Sequence, residues 1–139
     1  MSFREKSAWI TLIAILLVSA FYITHVPNVL EPEPRLWELH VVGITFAAFI
    51  VIDVIAHIIL YVRFWKDART PKDERERLID LKATRLAWYV FVVGTLLAIV
   101  TTPHHGASGF GVMIFVLFAF ALAEIVNYTA RIIFYRRGV

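Results

Sequence analysis

The chain has no cysteine among its 139 residues. That excludes a disulfide framework, a thiolate metal site and thiol catalysis, and it leaves redox compartment without a mark on the sequence. Charge is scarce too: Asp, Glu, Lys and Arg make up 18% of the chain, against 60% hydrophobic residues. Soluble domains average ~25% charged and ~45–50% apolar residues, so composition excludes a water-exposed globule. A phosphate-binding glycine loop, a nucleophile elbow and an HExxH pair are all missing, which argues against the enzyme classes those motifs define. The net charge of +3 calls for no nucleic acid. Basic residues collect at the cytoplasmic ends of membrane spans because they resist translocation.

What the chain does have is long apolar blocks. Four of them reach the ~18 or more residues that a bilayer span needs, at about 8–26, 39–61, 83–102 and 110–130. The expected fold is therefore all-α: an integral membrane four-helix bundle forming a single domain over 1–139. Arg4 and Lys6 ahead of an apolar block, with Val18-Ser19-Ala20 inside it, look superficially like a secretory signal. The apolar run continues through Phe21, Tyr22 and Ile23 with no polar region before a cut, so an uncleaved first span is expected.

The polar punctuation sets the topology. The stretch 27–38 carries Pro27, Pro32 and Pro34, which forbid a regular helix interior, together with Glu31, Glu33, Glu38 and Arg35. A short turn over 103–109 separates spans three and four. Between spans two and three lies a hinge, 63–85, which holds 8 of the 14 lysines and arginines. Thr70-Pro71 reads as a helix start, threonine capping and proline in the first position. Asp73 and Arg77 are spaced for an i,i+4 pair worth ~0.2–0.5 kcal/mol. No helix breaker follows Pro71 before Gly94, so one helix is expected to run from the hinge into span three. Thirteen basic residues fall on the hinge-and-termini side and only Arg35 on the other. Both termini are thus expected in the cytoplasm, most simply across a bacterial inner membrane.

Two resemblances add to this. Within the chain, Ala8-Trp9 and Ala87-Trp88 open related spans, and the same offset brings His25 onto His104. Asp53 and Glu124 each interrupt an apolar run ahead of a related tail. Duplicated hairpins in parallel repeat about the membrane normal are the expectation. Outside the chain, Asp73, Glu74, Arg75, Ile79, Lys82 and Ala83 form a D-E-R…I…K-A segment entering the third span. That segment resembles small bacterial four-span membrane proteins of families without an assigned activity. Such proteins look like products encoded beside helix-turn-helix regulators, so the resemblance implies a sensing or regulatory role.

Three groups of residues can carry chemistry. Asp53 and His57 in span two, and Glu124, Asn127, Tyr128 and Arg131 in span four, each share one helix face by spacing. Ionisable groups inside a span cost at least ~2.5–3.5 kcal/mol on insertion scales, so they should face the bundle and find partners. They form either a proton or cation relay or a polar clamp between spans. His25, His40, His104 and His105 share the outer face, and with nearby glutamates they would suit a divalent transition metal, although no spacing among them is a metal motif. Haem would need a second facing histidine, which His57 lacks.

Gly43, Gly94 and Gly111, with Ala47 and Ala48, are expected to permit close helix contact. Phe46, Phe49, Phe115, Phe118 and Phe120 are expected as packing or lipid-facing bulk rather than a ligand box. The leading functional expectation is a non-enzymatic membrane protein, surrounded by lipid and assembled as a homo-oligomer, in which buried acids couple proton or cation binding to transport or sensing. The alternative is an accessory subunit docking a cytoplasmic or membrane partner through Asp73, Glu74, Arg75, Arg77 and Lys82. Third is an outer-face metal protein. No other cofactor is expected.

Overall fold

The computed structural model describes residues 3–25, 36–104 and 109–137. The described residues form five helices and no strand: α1 (Phe3–His25), α2 (Leu36–Arg63), a single turn α3 (Trp65–Ala68), α4 (Glu74–His104) and α5 (Gly109–Arg137). The four long ones are long and apolar enough to cross a membrane. Their outward faces carry Leu17, Ile44, Ile59, Val62 and Leu96 more than half exposed. In water such a surface is an aggregation liability; in hydrocarbon it is solvated.

The helices pack in the order α2–α1–α5–α4, each against its neighbours in that row. Among the described residues α2 meets neither α4 nor α5 backbone to backbone, and only Leu60 of α2 is buried. A two-fold axis along the membrane normal would pair α2 with α4 as it pairs α1 with α5. The two hairpins stand instead side by side in tandem.

The α4–α5 seam is built of small residues. Ala83, Ala87 and Ala98 on α4 are buried, as are Ala119, Ala123 and Ala130 on α5. Between them Gly94 lies so close to α5 that an added Cβ would stand 2.7 Å from the Ala119 Cβ. Small side chains let backbones approach and gain dispersion contact where lipid offers no hydrophobic drive. Gly43 has nothing within 4 Å of where its Cβ would be, and Ala47 and Ala48 are exposed, so the close contact expected of them does not form; α2 has no second neighbour to approach. The α1–α5 seam is bulkier, with Ala8, Leu12 and Ile132 clustered among Trp9, Ile125 and Tyr128.

The hinge differs from the sequence expectation at its cap. Helix α4 starts at Glu74, and Asp73 caps it: the Glu76 amide donates to Asp73 Oδ1 at 2.7 Å and the Arg77 amide to the Asp73 carbonyl at 3.1 Å. Thr70 instead donates back to the Lys66 carbonyl at 3.4 Å, closing the turn after α3. Aspartate caps as well as threonine and its charge favours the positive helix end. With its carboxylate so used, Asp73 forms no ion pair with Arg77. From Glu74 onward α4 joins the hinge to span three without a break, as expected, and it continues past Gly94 to take in Pro103 and His104, where the sequence alone predicts the outer turn.

Charged contacts tie the hinge end of the row together. Arg4 on α1 pairs with Glu76 on α4 and donates to the Thr70 carbonyl at 2.9 Å. Arg136 on α5 reaches buried Glu5 on α1 at 3.3 Å. Lys6 Nζ lies 3.6 Å from the centre of the Phe64 ring.

Candidate functional site

Asp53 falls close to the midpoint of the span His40–Arg63, and Glu124 at the midpoint of Gly111–Arg137. Both line one cavity of about 250 Å³ between α1, α2 and α5. Because α2 leans on α1 alone, its acidic face is left open toward α5, and the cavity occupies that gap. The row packing thereby brings together the two acids that the sequence singled out on separate hairpins.

Around Asp53 the partners come from α1. Thr11, itself buried, donates to Asp53 Oδ1 at 3.1 Å. His57 Nδ1 lies 2.8 Å from the Asp53 backbone carbonyl and 3.4 Å from Oδ2. The other ring nitrogen, Nε2, is 2.8 Å from the Ser7 hydroxyl. A hydroxyl both donates and accepts. Neutral His57 accepts from Ser7 at Nε2 while Nδ1–H donates to the carbonyl; protonated His57 donates at both positions. The imidazole can therefore change charge without losing a partner, which a proton carrier requires. On the α5 side Tyr128 borders the same cavity as Thr11 and Asp53 and packs against the α1–α5 cluster of Ala8, Leu12 and Ile132.

Glu124 begins a second line of contacts. Asn127 Nδ2 donates to Glu124 Oε2 at 3.4 Å, and Arg131 Nε donates to Asn127 Oδ1 at 3.2 Å. Arg131 then reaches Asp80 on α4 at 3.5 Å, and Asp80 also pairs with Lys72. The Arg131 guanidinium stands 5.3 Å from the Tyr128 ring centre. All six expected intramembrane residues thus enter two connected strings. Of the expected clamp contacts, Asp53–His57 and Glu124–Asn127 form, each within its own helix; the contacts between helices run to α1 through Thr11 and to α4 through Arg131.

A second, more open cavity of about 430 Å³ lies on the hinge side, bordered by Phe3, His57 and Tyr61. The first runs the other way, to Tyr22 on α1 and Val42 on α2. Thr11, Asp53 and Tyr128 border both. These three side chains, of which Thr11 and Asp53 are hydrogen-bonded to each other, stand where a cavity on the hinge side meets one that extends away from the hinge.

Ser7, Thr11 and Asp80 were not anticipated as site residues. Hydroxyls in apolar helices ordinarily bond their own i−4 carbonyls, so Ser7 and Thr11 carry little signal. Their only clue is a spacing of four, the same as that of Asp53 and His57. Phe46, Phe49, Phe118 and Phe120, expected as bulk, line the first cavity, whereas Phe115 does not. Phe46 and Phe120 remain exposed even so, as expected of lipid-facing bulk, and Phe120 also meets Phe91 of α4 edge to face at 6.3 Å.

The remaining expected positions lie apart. Asp73, Glu74, Arg75, Arg77 and Lys82 are exposed. His25 and His104 end α1 and α4, His40 is exposed on α2, and His105 lies outside the described residues. Among the described residues no group of three or more His, Asp and Glu is arranged to hold a metal ion.

The four spans and the polar interior define an integral membrane protein of the helical, multi-pass class. No family model, curated protein or solved structure matches the chain.

Proposed function

We propose that this protein exchanges a proton or small cation at Asp53 and Glu124 and couples that exchange to transport or sensing across a bacterial inner membrane, with both termini cytoplasmic. The observation that carries the reading is that Thr11, Asp53 and Tyr128 border both the hinge-side cavity and the cavity that extends away from it. Carboxyl groups at mid-membrane are costly and mark ion and proton pathways. Here one acid accepts from Thr11 and lies 3.4 Å from His57, and the other is hydrogen-bonded to a string ending near the hinge. A homodimer or larger assembly, packing on the uncovered face of α2, would close the groove to lipid.

The test is proton flux into liposomes holding the purified full-length chain, driven by a potassium diffusion potential and read by an entrapped pH dye. Wild type should exceed empty liposomes, and Asp53→Asn should lower the rate about tenfold or more while eluting and melting like wild type. Flux at the empty-liposome level, or flux indifferent to Asp53→Asn, would refute the reading.

A second reading, an accessory subunit, draws on the hinge-side end of α4. Glu76 and Asp80 are tied to α1 and α5, whereas Glu74, Arg75, Arg77 and Lys82 make no ion pair among the described residues and sit beside exposed Leu78 and Leu81. Charge reversal at Arg75 and Arg77 would abolish cellular function without altering flux if docking is the role.

A further inference from the structure

We infer that the cavity between α1, α2 and α5 is a binding site for a small amphiphilic organic cation, an ammonium carrying an apolar or aromatic substituent. This inference rests on the proposed exchange at Asp53 and Glu124 and names the class of substrate exchanged there.

The first argument is charge. Two carboxylates line the cavity, and no lysine, arginine or histidine does among its described lining residues. His57 borders only the hinge-side cavity. A cationic ligand is thus the complement of this wall, and an anionic one is excluded by it. The second argument is the rest of the lining. Tyr22, Phe46, Phe49, Phe118 and Phe120 line the same cavity with aromatic surface, and Tyr22 and Phe118 meet edge to face at 5.7 Å. Aromatic faces attract a desolvated cation and pack against its hydrocarbon part. A bare Ca2+ or Mg2+ ion instead needs about six or more oxygen ligands, and among the described residues no group of three or more His, Asp and Glu is gathered to hold a metal. A lipid tail would fit the walls but gives no use to the two acids that line them.

Size and access narrow the class. At about 250 Å³ the cavity falls just below the ~300–1,000 Å³ of sites that take drug-sized molecules. It lies in the gap between α2 and α5, which make no backbone contact with each other, so a ligand partitioned into the bilayer can enter sideways. Binding of the cation and of a proton at the same carboxylates would be mutually exclusive, and that competition is the physical basis for coupling them.

The probe is radiolabelled benzyltrimethylammonium, with neopentylbenzene as its uncharged isostere, on purified full-length protein in detergent. Saturable binding should appear, weaken on acidification, and resist competition by neopentylbenzene. Asp53→Asn and Glu124→Gln should each weaken it by about tenfold or more, and Phe118→Leu by several-fold, as expected for lost charge and ring contacts in a desolvated site. Two carboxyl variants guard against misfolding of either one. Equal displacement by neopentylbenzene would show a hydrocarbon or lipid groove and overturn the inference; so would binding unchanged in both carboxyl variants. Absent binding in a protein that still shows Asp53-dependent proton flux would overturn the organic-cation assignment alone. Loss of the flux with binding intact would overturn the exchange reading and leave the site.

Discussion

Replacing Gly94 by alanine probes the close contact between α4 and α5. The new Cβ would stand 2.7 Å from the Ala119 Cβ and 3.4 Å from its Cα, whereas ordinary carbon–carbon contact is ~3.5–4.0 Å. The Ala119 methyl is fixed to the α5 backbone and has no rotamer through which to escape, so the helices must move apart by roughly 1 Å to restore contact distance. Buried Ala87, Ala98 and Ala123 share this seam and would lose contact with it. Overpacking of this kind costs ~1–3 kcal/mol. In water, alanine's better helix propensity would offset up to ~1 kcal/mol. In a bilayer the backbone stays helical in either case, because its hydrogen bonds cannot be exchanged for water, and the offset shrinks. Gly94→Ala should therefore destabilise by ~1–3 kcal/mol, measured by titration with a denaturing detergent in bicelles. The double variant Gly94→Ala/Ala119→Gly removes the opposing methyl and should recover most of that loss, with a coupling of ~1 kcal/mol or more. A single variant as stable as wild type, or additive losses in the double, would refute the close-packed seam.

Further predictions concern Thr11, the cap and the topology. Thr11→Val keeps the shape but removes the donor to Asp53 Oδ1; it should cost ~1–3 kcal/mol in the same titration and alter proton flux, while Thr11→Ser stays near wild type. Asp73→Ala removes the cap on the Glu76 amide and should cost ~0.5–2 kcal/mol, with faster hydrogen exchange confined to the first turn of α4; Thr70→Ala should leave that turn unchanged. The sequence has no native cysteine, so Arg75→Cys provides a clean site for an impermeant thiol reagent. It should label only from the cytoplasmic side, and labelling in intact cells would overturn the assigned orientation.

The four helices were legible in the sequence because length and apolarity are properties of a chain segment. A bilayer span needs only enough consecutive carbon-rich residues, and the continuity from the hinge into span three needed only the absence of a breaker. The suspicion attached to Asp53 and Glu124 was legible for a similar reason: an ionisable residue inside an apolar run is expensive wherever the run packs. The cap was only half legible, since Thr70 and Asp73 both suit the role and the backbone path after α3 selects between them.

Only the tertiary structure decided which helix meets which. Small-residue stripes occur on α2 as on α4, yet Gly94 packs against Ala119 while Gly43 meets nothing. The difference lies in the opposing surface, which a single helix's sequence does not contain. From that choice follows the row α2–α1–α5–α4, the cavity that Phe46 and Phe118 line, and the placing of Thr11 beside Asp53. Sequence determined that two acids lie inside apolar spans; packing determined that they line one cavity, because a cavity is a property of several helices and of none alone.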